Sequence, residues 1–330
     1  MPALTESIAL GRTRAASARK APSRSLDTLF RTFSYGAALL VLLVLAGILG
    51  SILYGGWPAF REFGFGFLTS SAWNVGTEQY GALVAVLGTV ASAFLALLIG
   101  VPVSLGIAVY LTQLCPGWAR KPVAMTIELL AAVPSIIYGM WGLFVFAPLF
   151  ARFVQIPVSN LVEGMPIIGT LFYARVPSGV GVLTAGIILA IMIVPFVASI
   201  ARDMLDQIPT ILRESAYGVG CTTWEVTRFV LIRHASVSII GAIMLGLGRA
   251  LGETFAVALV LSPSVIVSAF LLKSENPTTI AANIALQFPD SYGTTVNVLI
   301  ATGLILFVIT FVVNAASRAI VGRRGGGKGA

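Results

Sequence analysis

The sequence predicts an all-α polytopic membrane protein with six transmembrane helices, and three observations carry that expectation. Of its 330 residues, 57% are hydrophobic and only 10% are charged, less than half the ~25% charge of soluble domains. Mean hydropathy is +0.95. Several uncharged runs exceed the ~20 residues that cross about 30 Å of hydrocarbon as a helix. A β-barrel would need short segments alternating apolar and polar, and the sequence has no such pattern.

The elements follow in order. Residues 1–32 include "GRTRAASARKAPSRS", a basic stretch of small polar residues without apolar periodicity, expected to be disordered. The apolar run behind it is too long for a signal-peptide core, so it is read as a signal anchor. Six spans are expected at 33–54, 82–111, 123–150, 179–201, 237–261 and 295–316, each a helix because backbone groups in lipid must be satisfied internally. The second run is long for one crossing and implies a projecting or tilted helix. Pro102, Pro134 and Pro195 fall inside spans and are expected to kink them. Trp57, Phe60, Phe63, Phe65, Phe67 and Trp73 crowd the first outer loop, as an interfacial belt or a docking surface. Residues 321–330 form a basic tail whose "GRRGGGKGA" superficially fits G-x-x-x-x-G-K. It lacks the Ser or Thr that would hold magnesium and a flanking strand and helix, so it is no phosphate loop.

Loop charge sets the orientation. With the N-terminus inside, sixteen of the 21 basic residues fall on cytoplasmic segments. Four (Arg61, Arg152, Arg175 and Lys273) fall outside, and Arg249 alone lies within a span. Both termini are therefore expected in the cytoplasm. The net charge of +8 is accounted for by this bias and by anionic lipid, so no nucleic-acid partner is implied. Cys115 and Cys221 both map to the reducing side and, with the single His234, make neither a disulfide nor a metal site.

Arg249 and Glu253 raise the sharpest question. They lie in "GLGRALGETFAV", four residues apart in an apolar run, where each charge costs about 2.5–3.5 kcal/mol to insert. On one helix face they can pair, and Gly248 and Gly252 mark a neighbouring stripe where another helix can approach. At 1.5 Å per residue, Arg249 lies roughly 21 Å beyond Ala235 and past the middle of the span. Two readings stand: a salt bridge locking helices, or a guanidinium fork that meets an oxyanion with Glu253 orienting it and opposing anion trapping. Glu128, placed at the start of the third helix, is read as complementing a helix N-terminus, with a role in the pathway as the alternative.

The loop between the fourth and fifth spans, "DMLDQIPTILRESAYGVGCTTWEVTRFVLIRH", is read as two short helices. Pro209 suits a first turn, Gly218 or Gly220 a left-handed cap, and Thr222 with Glu225 a capping box. Here a family is recognisable. Glu214, Ser215 and Ala216, then Gly220, then Val230 and Ile232, resemble the E-A-A…G…I-x-L-P loop of ABC importer permeases. Ser215 replaces the motif's middle alanine and Arg233 its proline, which puts the loop's exit geometry in question.

"IELLAAVPSIIYGMWGLFVFAP", "GLGRALGETFAVALVL" and "TTIAANIALQF" further resemble the PstC-type permeases of phosphate-specific ABC importers, over about residues 33–320. The resemblance implies the six-helix ABC permease fold and a coupling loop at about 202–235. It also implies a second, PstA-like permease subunit, two copies of an ATPase that binds ATP and magnesium, and an external phosphate-binding protein. The chain itself would hold no cofactor and would not be an enzyme. Arg249 and Glu253 would then serve phosphate translocation, and Glu214, Ser215, Ala216 and Gly220 ATPase coupling. A permease for molybdate or sulfate shares the same residue chemistry. An anion channel or secondary transporter would show paired inverted repeats, which are not evident here, and would have no use for the loop.

Overall fold

The computed structural model describes residues 24–162, 165, 178–261 and 278–325. The expected disorder of the N-terminus up to residue 23, the outer-loop charges Arg175 and Lys273, and the tail from residue 326 lie outside the described residues. Contacts divide the chain into two units, one ending at Ile52 and the other beginning at Leu53. The second unit holds the packed cores.

Helix α1 (Arg24–Phe63) begins ahead of the expected boundary at residue 33. A short α2 (Gly66–Thr69) and a hairpin of β1 (Trp73–Asn74) and β2 (Gln79–Tyr80) follow, paired Trp73 to Tyr80 and Asn74 to Gln79. The aromatics of this loop pack mainly on one another. Phe60 and Phe67 meet edge to face at 5.9 Å, as do Trp73 and Tyr80 at 5.4 Å, while Trp57 and Phe65 remain exposed.

Helix α3 (Leu83–Leu114) carries Pro102 without breaking and ends in a π-helical turn. Its buried hydroxyls are satisfied within the helix: Thr89 Oγ1 donates to Ala85 O at 2.7 Å and Ser92 Oγ to Gly88 O at 2.7 Å. Helix α6 (Val182–Asp206) likewise runs unbroken through Pro195. The last long helix is α12 (Thr294–Gly325), which extends into the expected tail.

Two spans depart from expectation. The third is two helices, α4 (Gly117–Ala131) and α5 (Ser135–Val162), separated at Ala132, Val133 and Pro134. Proline offers no N–H and disfavours helix in the residue before it, so the expected kink is a full break. Glu128 consequently lies in the last turn of α4, not at a helix start. It accepts from Arg202 Nη2 of α6 at 2.9 Å, and Arg202 also meets Asp203 at 2.7 Å. The fifth span is broken as well. After α7 (Thr210–Gly218) and α8 (Thr223–His234), the chain bends by 74° into α9 (Ser236–Leu251). It breaks again at Gly252 before α10 (Phe255–Val260). A further helix, α11 (Ile280–Gln287), precedes α12.

Two apolar clusters join these pieces. One gathers Ala93 of α3, Leu189 and Ile193 of α6, Leu251 of α9, Val257 of α10 and Ala282 of α11. The other joins Ala108, Leu205, Ala216, Val226, Leu231 and Ile239, so that α7 and α8 pack against the ends of α3, α6 and α9. Sealing both ends of α9 into separate cores fixes the position of its last turn.

Candidate functional site

The site is built where the broken helices meet. Gly139 of α5 lies so close to α10 that a Cβ there would come within 2.7 Å of Ala256 Cα. Only glycine permits that approach without displacing one backbone. Just before this contact, Tyr138 donates its hydroxyl to Leu130 O at 2.9 Å, bridging the gap at Pro134.

Arg249 occupies the last turn of α9 and is partly buried. Its Cζ stands 5.7 Å above the ring of Phe196 on α6, a cation–π contact. Glu253, 9% exposed, lies beyond the end of α9, and its Oε1 accepts from Ala256 N at 3.3 Å. The ion pairs among the described residues are Arg120 with Asp206 and Arg202 with Glu128 and Asp203. The expected Arg249–Glu253 pair is not one of them. The reason is the break: i,i+4 pairing requires one continuous helix, and the helix ends at Leu251. Gly252 acts as the stop, its N–H donating to Gly248 O at 3.2 Å.

Gly241 and Gly248 have no atom within 4 Å of where a Cβ would stand. That face of α9 is not covered by the described residues of this chain.

The second group of site residues forms a knob. Pro209 is the N-cap of α7, and the helix stops in a Schellman arrangement. Gly220 N donates to Tyr217 O at 2.9 Å and Cys221 N to Ala216 O at 3.1 Å, with Gly220 at φ +88°, the left-handed cap that glycine adopts at least cost. Thr222 and Glu225 form the full capping box, Thr222 N donating to Glu225 Oε2 at 2.8 Å and Glu225 N to Thr222 Oγ1 at 3.4 Å. The backbone hydrogen bond from Thr222 holds the Glu225 carboxyl below its ordinary range. Glu214 and Ser215 are exposed on α7, whereas Ala216 is buried against the core. Arg213 Nη2 donates to Leu205 O at 2.7 Å, tying α7 to the end of α6. The motif thus presents two polar residues outward and anchors itself through the alanine.

Phe196, Tyr138 and Gly139 are the site residues that sequence reasoning missed. Two of them lie inside "VPSIIYG", where a tyrosine and a glycine side by side, shortly after Pro134, were the available signal. Phe196 has no local signal.

Residues 100–325 match the family described as "Binding-protein-dependent transport system inner membrane component". The chain is 49% identical over 293 residues to a protein of Mesorhizobium japonicum, covering 88% of this chain and 89% of the relative. It is 46% identical over 298 residues to one of Pasteurella multocida, covering 90% and 92%. Both relatives carry the name "Phosphate transport system permease protein PstC". Among solved structures, a bacterial alginate ABC transporter in complex with its periplasmic protein matches with a TM-score of 0.58 at 19% identity, covering 91% of this chain and 99% of that one. The MetNI methionine ABC transporter matches with a TM-score of 0.52 at 19% identity, covering 74% and 96%. At that identity the two structures attest the fold alone.

Proposed function

The chain belongs to the family of binding-protein-dependent transport system inner membrane components, and from that premise we propose that it is the transmembrane permease subunit of an ABC importer carrying inorganic phosphate into the cytoplasm. The observation that carries this reading is its likeness, over about nine-tenths of both chains, to permeases named for phosphate transport. Arg249 supplies the chemistry. A guanidinium partly buried at a helix break, with no carboxylate within ion-pair distance among the described residues, keeps its planar fork for a tetrahedral oxyanion. Glu253 stands near the same break and opposes prolonged anion residence.

Both termini are cytoplasmic in this reading, which places the knob of Glu214, Ser215, Ala216 and Gly220 where an ATPase cleft receives it. Two ATPase copies bind ATP and magnesium; this chain holds no cofactor and contributes motion, not hydrolysis. The uncovered face of α9 at Gly241 and Gly248 suits close approach by the second permease subunit. An external binding protein delivers phosphate to the opposite side.

The test is radiolabelled phosphate uptake by the complete complex in proteoliposomes, normalised to assembled complex. Charge-assisted hydrogen bonds are worth about 1.5–3 kcal/mol each, so Arg249→Ala should lose at least roughly tenfold in rate, and Arg249→Lys, without the fork, should also lose substantially. Wild-type uptake by Arg249→Ala would remove the translocation role. A wild-type complex that moves sulfate or molybdate but not phosphate would overturn the substrate.

A further inference from the structure

A cavity of about 430 Å³ lies between the hairpin and α11, away from Arg249 in the sequence. Val75, Val84 and Ala85 give it apolar walls, and Asn74, Asn283 and Gln287 give it three side-chain amides. Among the described residues, none that lines it is charged.

The amides are arranged in one sense. Trp73 Nε1 donates to Gln287 Oε1 at 2.8 Å, and Gln287 Nε2 donates in turn to Asn283 Oδ1. Asn74 Oδ1 accepts from Gly76 N at 2.9 Å and from Thr77 N at 3.3 Å. Each of these three amide oxygens is thereby occupied by a donor of the chain itself. What remains is nitrogen: the Nδ2 groups of Asn283 and Asn74 have no acceptor among the described residues. Asn283 is only 4% exposed and lines the cavity, and the relay through Gln287 fixes which end of its amide is the oxygen and which the nitrogen.

We infer that this cavity is a reception site for the transported oxyanion on the outer face, built from neutral donors. The inference rests on the phosphate reading and on the orientation proposed with it. Beside the Thr278 hydroxyl, the cavity presents these amide N–H groups, which favour an acceptor-rich ligand, and the tetrahedral oxyanion is the small solute of that kind in this reading. Neutral donors hold an anion without the Coulombic depth of an arginine, so it can pass on toward Arg249. On its other face α11 buries Ala282 against Val257 and Val260 of α10, which links the cavity to the helix that starts just after Glu253.

Asn283→Asp tests this directly. It keeps the oxygen that Gln287 needs and replaces the free N–H groups by an acceptor that repels an anion. Asn74→Asp does the same at an exposed turn position, where folding is not at stake, since an aspartate serves the Asn74 turn equally well. In the complete reconstituted complex, each substitution should lower phosphate uptake at sub-saturating phosphate at least about tenfold. Broadening of the phosphorus resonance of added inorganic phosphate by the complex without its binding protein should fall in parallel. Uptake and broadening at wild-type levels in both variants would overturn the inference. So would variants that only raise the amount of binding protein needed for half-maximal uptake, because the cavity would then be a protein-docking surface. The wild-type complex is the control that separates the two readings. If it moves no phosphate, the proposed function fails; if it does and the variants match it, the reception site alone fails.

Discussion

Replacing Gly220 with valine would strain one dihedral and leave almost everything else untouched. Its φ of +88° lies in the left-handed region, yet a Cβ there would meet nothing within 4 Å. The cost is therefore backbone strain alone, about 1–3 kcal/mol, and greater for a β-branched residue than for alanine. Relieving it means swinging Gly220 out of the cap, which forfeits the bonds from Gly220 N to Tyr217 O and from Cys221 N to Ala216 O. A shift of about 1–2 kcal/mol changes a conformational ratio about 5- to 30-fold, so the knob would spend much of its time misshapen while the helices beneath it stay packed. The measurement is phosphate moved per ATP hydrolysed in proteoliposomes, alongside binding-protein capture and complex yield. Gly220→Val should drop the ratio severalfold to tenfold with capture and yield unchanged. Gly220→Ala should fall between, and Gly220→Asn should stay near wild type, because asparagine tolerates positive φ. Tight coupling in Gly220→Val would refute the role of the loop. Equal damage from Asn and Val would refute the dihedral argument, since surface chemistry would then be what matters.

Glu253→Gln retains an oxygen for Ala256 N but removes the charge, so the complex should assemble normally and turn over more slowly with phosphate held longer, read as single-turnover release. Failure to assemble would mean that the charge is needed for folding. Glu128→Gln loosens a pair whose glutamate side chain is 52% exposed; such pairs are worth about 0–1 kcal/mol. It should leave assembly unchanged and uptake within roughly twofold, and a collapse of uptake would place Glu128 in the pathway.

Local chemistry was legible in the sequence, and long-range geometry was not. The knob could be read in detail because caps are local: Pro209, Gly220, and the Thr222–Glu225 box each act on neighbours a few residues away. The spans were legible because hydropathy integrates over many residues. Helix continuity was harder. Pro134 announced a kink, but whether a proline bends or ends a helix depends on what replaces the lost hydrogen bonds, here including the Tyr138 hydroxyl on Leu130 O. Gly252 followed by Thr254 before Phe255 is a stop and a restart signal. An apolar run of membrane length masks it by favouring an unbroken helix. Phe196 beneath Arg249 comes from another span, and no spacing in the sequence connects the two.

The break also explains why two charges are tolerated there without pairing. On a continuous helix each would need the other to offset an insertion cost of about 2.5–3.5 kcal/mol. In the structure each is held by a helix end. Arg249 sits in the last turn of α9, where a cation complements the negative end of the helix dipole, and Glu253 accepts from Ala256 N in the first turn of α10, where an anion complements the positive end. Such terms contribute about 0.3–1 kcal/mol each and up to ~2 when partly buried, and the Phe196 ring adds a cation–π contribution. That offsets much of the cost without consuming the guanidinium. A salt bridge would have neutralised Arg249 and closed its fork to other oxygens. Two helix ends stabilise the same charges while leaving the fork able to bind, which is what the proposed translocation role of Arg249 requires.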